Sequence, residues 1–265
     1  MDCSYVNKII EKYSKNGQLT QNEKTAYSNL SQTLNNWFNR TYNRYSYYPK
    51  MSIQQSGSRA KGTAIKGKSD MDMFLSIEDP NNEKTLQTYY DEVYVFLKDE
   101  GYAVRKQNVS IGLKYYGCDI DVVPAKKVNS QSYIRYNDHY LWSNKHKCRM
   151  LTNIQKHIDM VRNSGVQKEI MLLKVWRENH SLDFPSIYIE QLCIEKLSKN
   201  NQYNLADNFW QMLHYISDNI ENKRVVDPSN CNNIISDSLT NSEKRQIANQ
   251  AQGSLGQKYW KDILW

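Results

Sequence analysis

Residues 55–77 read QSGSRAKGTAIKGKSDMDMFLSI and contain the features that decide the fold. The segment 71–77 is mostly apolar and alternates only in part with polar residues, which predicts a central strand of a β-sheet. Asp70 and Asp72 stand two residues apart at the start of this strand. Because side chains return to the same face of a strand every second residue, we predict that both carboxylates face one side of the sheet.

A Gly-Ser pair, Gly57-Ser58, precedes the aspartates and follows a second predicted strand at 51–54. Backbone N–H groups of such a turn, together with the Ser58 hydroxyl, can cradle a phosphate group. A lone Gly-Ser pair is usually only a turn, and a lone Asp-x-Asp is usually a solvated pair. Their conjunction behind a strand, with a further aspartate downstream, is far more specific.

That further aspartate is Asp121, within the apolar segment 120–124, which predicts a third short strand ended by Pro124. Asp121 can reach the same face as the first two aspartates from a neighbouring strand. Carboxylate oxygens are the ligands that hard cations prefer. Two such ions about 4 Å apart can hold the attacking and leaving oxygens of a phosphoryl transfer. We therefore predict a site for two Mg²⁺ ions, with Mn²⁺ as an alternative, at which Asp121 also accepts a proton.

The rest of the chain divides by its periodicity. Helical spacing predicts helices at 5–15, 20–40 and 86–100, and the second has a possible capping box in Thr20 and Glu23. After residue 145 the pattern is helical throughout, at 150–163, 165–180, 185–199, 203–221 and 240–252. We predict N-terminal helices and a mixed α/β region over 1–145, followed by a helical lobe over 146–265.

Composition narrows the function classes. The chain has 265 residues and a formal net charge of +7, which suits a protein that handles polyanions but equally suits a lysine-rich surface. Four basic residues crowd the loop before the aspartates, where they either attract phosphate or form a solvated loop: Arg59, Lys61, Lys66 and Lys68. No apolar run is long enough to cross a membrane and no signal core is present, so a cytoplasmic location is expected. Five scattered cysteines predict reduced, mostly buried thiols.

The segment from Gly57 to Ile77 resembles the signature of the DNA polymerase β-like nucleotidyltransferases. Within that superfamily it is most similar to the branch that holds the cGAS/DncV-like nucleotidyltransferases (CD-NTases), the 2′–5′-oligoadenylate synthases and the archaeal-type CCA-adding enzymes. Further segments extend the resemblance over about residues 50–250: DVVPA at 121–125, IMLLKVW at 170–176, FPSIYIE at 184–190 and VDPSNCNN at 226–233.

The resemblance implies an α+β fold, in which a polymerase β-like core with a mixed sheet precedes a C-terminal helical lobe and the active site lies in the cleft. It implies that Asp70, Asp72 and Asp121 bind metal and are catalytic. It implies that nucleotide is bound by a wider set of residues, comprising Gly57, Ser58, Lys174, Ser186 and Tyr188. Without the resemblance, Lys174 can equally be interpreted as a surface lysine and Tyr188 as a core residue. In the last matching segment, Asp227 and Asn233 are expected to cap and position the final helices.

The implied function is the joining of NTPs into a cyclic or short linear oligonucleotide second messenger, with release of pyrophosphate, in bacterial anti-phage defence. ATP is expected among the substrates, dNTPs are an alternative, and a downstream effector would sense the product. No membrane partner is expected and nucleic acid is not required. No zinc insertion or appended tRNA-grasping domain is evident. Two alternatives remain open: a primer-dependent nucleotidyltransferase acting on nucleic acid, a tRNA end or protein, and a catalytically inactive nucleotide-binding scaffold.

Overall fold

The computed structural model describes residues 3–14, 19–42, 49–128, 137–197 and 204–265. It separates into two compact units. The sheet unit comprises Gln18–Ala60 and Ser69–Lys156, and the helical unit comprises Met1–Gly17, Lys61–Lys68 and His157–Trp265.

The helices of the chain are α1 (Cys3–Tyr13), α2 (Gln21–Tyr42), α3 (Gly57–Ala60), α4 (Leu86–Asp99), α5 (Ile154–Arg162), α6 (Gln167–Asn179), α7 (Ser186–Leu197), α8 (Leu205–Asn219) and α9 (Asn241–Leu255). The strands are β1 (Lys50–Gln55), β2 (Met71–Glu78), β3 (Arg105–Lys106), β4 (Ile111–Tyr115), β5 (Cys118–Lys127), β6 (His139–Ser143), β7 (Cys148–Thr152), β8 (Val226–Asp227) and β9 (Asn230–Ile234). Short 3₁₀ helices cover Ile235–Ser238 and Trp260–Asp262.

The sheet unit is built on a mixed sheet with the order β1-β2-β5-β4-β3, and β6 pairs with β5 and with β7. The central pair, β2 and β5, is parallel. Helices α2 and α4 bury Leu30, Leu34 and Val93 against the face of the sheet that carries Met73 and Val122. Asp72, Ser76 and Asp121 point to the other face of these two central strands, because side chains alternate along a strand.

The N-terminus of α2 confirms the predicted capping box. The Thr20 N–H donates to Glu23 Oε2 at 2.8 Å, and the Glu23 N–H donates to Thr20 Oγ1 at 3.3 Å. These two bonds satisfy amide groups that the first turn of a helix leaves without a partner.

The prediction that Pro124 ends the third strand is wrong, because β5 continues through it to Lys127. Along one edge of β5, β4 pairs as far as Val122 and β6 pairs from Ala125 onward. Pro124 lies where one neighbour has ended and the next has begun. Its missing N–H therefore leaves no ladder bond unmade on that edge.

The helix predicted at 150–163 also begins later than expected. Residues Cys148–Thr152 form β7, and the helix α5 covers Ile154–Arg162. The hairpin partner β6 decides this, since its pairing with β7 satisfies the backbone in a way that local helical spacing cannot reveal. The other predicted helices are confirmed to within a few residues at each end.

The helical unit has a large apolar core, with Trp176, Phe184 and Phe209 fully enclosed. Helix α1 contributes Val6 to this core, and the segment Lys61–Lys68 contributes Ile65. The observed units therefore run differently from the predicted 1–145 and 146–265. Apolar burial draws α1 and Lys61–Lys68 into the helical unit, and the boundary in the middle of the chain falls inside α5.

None of the five cysteines is disulfide-bonded, as expected, but the prediction that most are buried is wrong. Only Cys193 is buried, whereas Cys3, Cys148 and Cys231 are exposed. Within the described residues, no helix combines the length and the apolar character that crossing a membrane requires.

Candidate active site

Asp72 on β2 and Asp121 on β5 are direct partners in the parallel ladder. Neighbouring strands lie about 4.8 Å apart, so the two side chains leave the same face of the sheet side by side. Both residues are half-buried. The sequence-based expectation that Asp121 reaches this face from an adjacent strand is confirmed.

Asp70 lies immediately before β2 and is exposed. Partial burial of its carboxyl group raises its pKa, and the charge of Asp119 raises it further. Burial also raises the pKa of Asp121, with the charge of Asp70 as the next contribution. Like charges that raise one another's pKa values favour either a proton or a cation between them.

Two side chains that the sequence reasoning missed hold Asp121. Gln107 Nε2 donates to Asp121 Oδ1 at 3.1 Å, and Ser110 Oγ donates to Asp121 Oδ2 at 3.3 Å. Both residues lie in the short β3–β4 connection, Gln107 at its start and Ser110 at its end. No sequence motif indicates that either residue contacts Asp121. Their hydrogen bonds fix the orientation of the carboxylate and offset part of the increase in its pKa that burial causes.

Gly57 packs directly against Asp72. Its φ is +63°, and a Cβ built on it would lie 1.7 Å from Asp72 Oδ2 and 2.3 Å from Asp72 Cγ. The Ser56 N–H donates to the Asp72 carbonyl at 3.0 Å, which fixes the Gly-Ser turn to β2. Glycine is thus required here twice, for its left-handed backbone and for its missing side chain. Ser58 follows in the single turn of α3 and is half-buried.

Arg59 is not part of a solvated loop. Its side chain is buried and forms an ion pair with Glu23, the residue that caps α2. Arg59 therefore ties the Gly-Ser turn to the start of α2, and its guanidinium is already engaged. In the helical unit Lys61 is engaged as well, with Nζ 2.7 Å from Glu190 Oε2, whereas Lys66 and Lys68 are exposed.

Lys174 on α6 is buried, with a side-chain exposure of 2%. Its ammonium donates to Thr63 Oγ1 at 3.0 Å and lies 3.5 Å from Glu190 Oε1 on α7. Burial lowers its pKa to about 8, although Glu190 opposes the shift. The alternative of a surface lysine is therefore wrong, and the carboxylate of Glu190 is shared by Lys174 and Lys61.

The two residues assigned to a base pocket lie in different surroundings. Ser186 begins α7 and its Oγ accepts a hydrogen bond from Arg177 Nη1 at 3.2 Å. Tyr188 has 0% exposure and packs edge-on against Phe184, and burial raises its pKa to about 12. In this conformation Tyr188 presents no ring face to a ligand.

The late Asp227 segment forms a tight polar cluster in the helical unit. Asp227 Oδ1 accepts from His157 Nε2 at 2.8 Å and from Ser229 Oγ at 2.7 Å, and Oδ2 accepts from Asn233 Nδ2 at 2.9 Å. These bonds close the β8–β9 turn and attach it to α5. Asp227 and Asn233 therefore fix a turn to α5 and do not cap the last helix α9, whose N-cap is Thr240. The cluster also contains His157, which the sequence reasoning missed.

Across the described ranges, no three His, Cys, Asp or Glu side chains are close enough to hold a metal ion as they stand. The three aspartates are neighbours, but their carboxylates are not gathered around one point. Gln107 and Ser110 hold Asp121, and Asp70 remains exposed at the end of its strand. Metal binding at this site would need these side chains to turn toward a shared ion.

Comparison with family models and with curated proteins finds no match. Solved structures do match. CdnC of E. coli MS115-1 with ATP has a TM-score of 0.75 at 18% identity, covering 96% of this chain and 90% of CdnC. The cyclic dinucleotide synthase CdnE of Elizabethkingia meningoseptica with GTP and Apcpp has a TM-score of 0.70 at 12% identity, covering 97% and 100%. The CD-NTase CdnG of Bradyrhizobium diazoefficiens with GTP has a TM-score of 0.69 at 10% identity, covering 95% and 91%.

These similarities extend over nearly the whole chain and establish its fold. The expected α+β architecture, a mixed sheet with helices, is confirmed.

Proposed function

We propose that this chain is a nucleotidyltransferase of the CD-NTase kind, which joins NTPs into a cyclic or short linear oligonucleotide and releases pyrophosphate. One observation carries the proposal: Asp72 and Asp121 are register partners on parallel strands, and Gly57 packs without a side chain against Asp72. The whole-chain similarity to the cyclic dinucleotide synthase CdnE with GTP and Apcpp, and to CdnC with ATP, supports it.

The carboxylates are suited to divalent metal. Their oxygens are hard donors, and burial together with a neighbouring carboxylate raises the pKa values of Asp70 and Asp121, so that their ionised forms are only partly stabilised by the protein's own groups. We assign Asp70, Asp72 and Asp121 as the residues that would hold two Mg²⁺ ions, with Mn²⁺ as an alternative. When bound, such ions would supply positive charge that offsets the charge of the phosphates during the transfer.

The protein's own groups would complete the reaction. The N–H groups of the Gly57-Ser58 turn and the Ser58 hydroxyl would bind the donor triphosphate. Asp121, oriented by Gln107 and Ser110, would accept the proton of the attacking hydroxyl. In the helical unit, Lys174 is assigned to the β- and γ-phosphates and Ser186 to the base. Tyr188 would support the base pocket from within the core, since its ring is enclosed.

The biological role follows from the same resemblance. The product would be a second messenger in the cytoplasm of a bacterium, made in anti-phage defence and read by a downstream effector. ATP is the first substrate to test, with dNTPs as alternatives.

The experiment that tests this function needs no nucleic acid. Purified protein is incubated with Mg²⁺ and all four NTPs, then with all four dNTPs, and the products are analysed by mass spectrometry. We expect an oligonucleotide together with one pyrophosphate for each bond formed. Product only when a primer is added would instead identify a polymerising enzyme. No product with or without a primer would identify an inactive scaffold.

A further inference from the structure

A cavity of about 610 Å³ lies in the sheet unit, away from the aspartates. Six of its lining residues define what we call the basic cavity: Lys84, Lys126, Lys127, Tyr140, Trp142 and Arg149. Its volume falls within the range of about 300–1,000 Å³ that is typical of small-molecule sites. No carboxylate is among the described residues that line it, although Lys84 and Lys126 form ion pairs with Glu92 and Asp79 next to it.

The strand register separates this cavity from the candidate active site. Lys126 follows Asp121 on β5 by five residues, which corresponds to about 16 Å along the strand. Because five is an odd number, the two side chains point to opposite faces of the sheet. A ligand in the basic cavity would therefore not occupy the place proposed for the donor nucleotide.

The aromatic residues of the cavity share one face of the β6–β7 hairpin. Tyr140 and Trp142 are two residues apart on β6 and therefore point the same way. Tyr140 is the register partner of Lys126, and Trp142 is the register partner of Arg149. The result is two adjacent rows, each combining an aromatic ring with a basic side chain.

The charges differ in how firmly they are held. Lys126 Nζ is fixed by Asp79 Oδ2 at 2.7 Å and by the Lys84 carbonyl at 2.9 Å. Arg149 is exposed, has its guanidinium 4.8 Å from the Tyr140 ring centre, and forms no ion pair with any carboxylate in the described chain. Arg149 thus offers an exposed cation beside two half-buried aromatic side chains, Tyr140 and Trp142.

We propose that the basic cavity is a second binding site, for a ligand that combines a planar base with phosphate. The base would stack on Trp142 or Tyr140, and the phosphate would be bound by Arg149. A free mononucleotide and a single-stranded nucleic acid both have this chemistry. The proposal concerns binding and holds whether or not the chain is a synthase.

The test uses the full chain in EDTA, so that metal-dependent binding at the aspartates does not contribute. The probe is a short fluorescein-labelled oligouridylate, and binding is followed by fluorescence anisotropy at low salt. Arg149→Glu should weaken binding about tenfold or more. The matched control is Lys98→Glu, an equal charge change at the exposed C-terminal end of α4, and it should change Kd by no more than about twofold.

Trp142→Ala tests the stacking surface and should also weaken binding about tenfold. Trp142 packs partly against the core, so the Trp142→Ala protein is first checked for an unchanged circular dichroism spectrum. If Trp142→Ala does not fold, the result for Arg149→Glu alone decides whether the proposal holds. Competition by unlabelled UMP and AMP identifies the source of the ligand. Full competition indicates a mononucleotide site, and binding confined to the oligonucleotide indicates a strand site. The proposal is overturned if the wild-type chain does not bind the labelled oligouridylate, or if Arg149→Glu and Lys98→Glu bind it equally well.

Discussion

Asp121 in the sheet unit and Asp227 in the helical unit are both sheltered from solvent, yet their pKa values move in opposite directions. Burial raises the pKa of Asp121, the nearby charge of Asp70 raises it again, and two hydrogen bonds only partly compensate. Burial acts in the same direction on Asp227, but the bonds from His157, Ser229 and Asn233 outweigh it and lower the pKa.

The difference separates a carboxylate that the fold satisfies from one that we propose binds a ligand. The fold satisfies Asp227 with its own donors, so the charge there stabilises the folded chain. It leaves Asp121 beside other carboxylates, which is unfavourable unless something from outside is bound. Glu190 resembles Asp227, because its carboxylate is also satisfied by the protein's own groups, the ammonium groups of Lys61 and Lys174.

The largest effect is expected from neutralising the paired aspartates. Asp72→Asn or Asp121→Asn should lower oligonucleotide synthesis by about 1,000-fold or more, because loss of a metal ligand removes several kcal/mol of transition-state stabilisation. Synthesis is measured as pyrophosphate release. Asp99→Asn is the matched control, since Asp99 is an exposed carboxylate of the sheet unit at the C-terminal end of α4. Synthesis that survives in Asp72→Asn would show that the site is assigned wrongly.

Next in size is Gly57→Ala, which tests whether the carboxylate of Asp72 needs the space that glycine leaves. The added Cβ collides with Asp72, and displacing a reacting group by about 1 Å can reduce rates about 100-fold. Gly62→Ala separates collision from backbone strain, because Gly62 also has a positive φ, +74°, but a Cβ added there would meet nothing within 4 Å. Equal losses of synthesis in the two variants would mean that strain alone is responsible.

A third prediction compares the two aspartates by stability. Asp227→Asn should lower the free energy of unfolding by about 2–4 kcal/mol, since buried donors lose an ionised acceptor. Asp121→Asn in EDTA should leave it unchanged or raise it, because a repulsive charge is removed. Urea denaturation measures both.

The contribution of Asp227 to the free energy of unfolding should decrease as the pH falls. Its pKa is lowered on folding, so its stabilising contribution is fully present above the unfolded value of about 3.9. The contribution is lost as the pH falls from there toward the folded pKa, and the difference between wild type and Asp227→Asn should shrink over that interval. A difference that stays constant down to acid pH would contradict the assignment.

The smallest effect is expected at Glu190. Glu190→Gln removes the charge that opposes the lowered pKa of Lys174, so the ammonium should lose its proton at a pH below about 8. We expect KM for ATP to rise about tenfold and the alkaline limb of the rate profile to move to lower pH. Glu195→Gln, on the same helix but at an exposed ion pair with Lys223, should leave both unchanged. A rate profile that Glu190→Gln does not move would remove Lys174 from the reaction.

Much of the candidate site can be predicted because it depends on patterns between residues that are close along the chain. A period of two places the aspartates on a face, and a Gly-Ser pair behind a strand indicates a turn, so Gly57, Asp72 and Asp121 can be found from sequence alone. The helices are predictable for the same reason, as the capping box of Thr20 and Glu23 shows.

What escapes prediction depends on contacts that are distant along the chain. Arg59 is paired with Glu23, 36 residues away, and nothing in the basic loop indicates this. His157 meets Asp227 across 70 residues. Local spacing predicts a helix where β7 lies and a strand end at Pro124, and in each case a neighbouring strand decides otherwise.

The central claim is that the sheet unit leaves Asp70, Asp72 and Asp121 for divalent cations, whereas the helical unit satisfies Asp227 with its own donors. Titration of Mn²⁺ into the folded protein with a non-hydrolysable ATP analogue, followed by electron paramagnetic resonance, tests it directly. We predict saturable Mn²⁺ binding by wild type and by Asp227→Asn, and loss of that binding in Asp121→Asn. Equal Mn²⁺ binding by wild type and Asp121→Asn, or loss of it only in Asp227→Asn, would contradict the account.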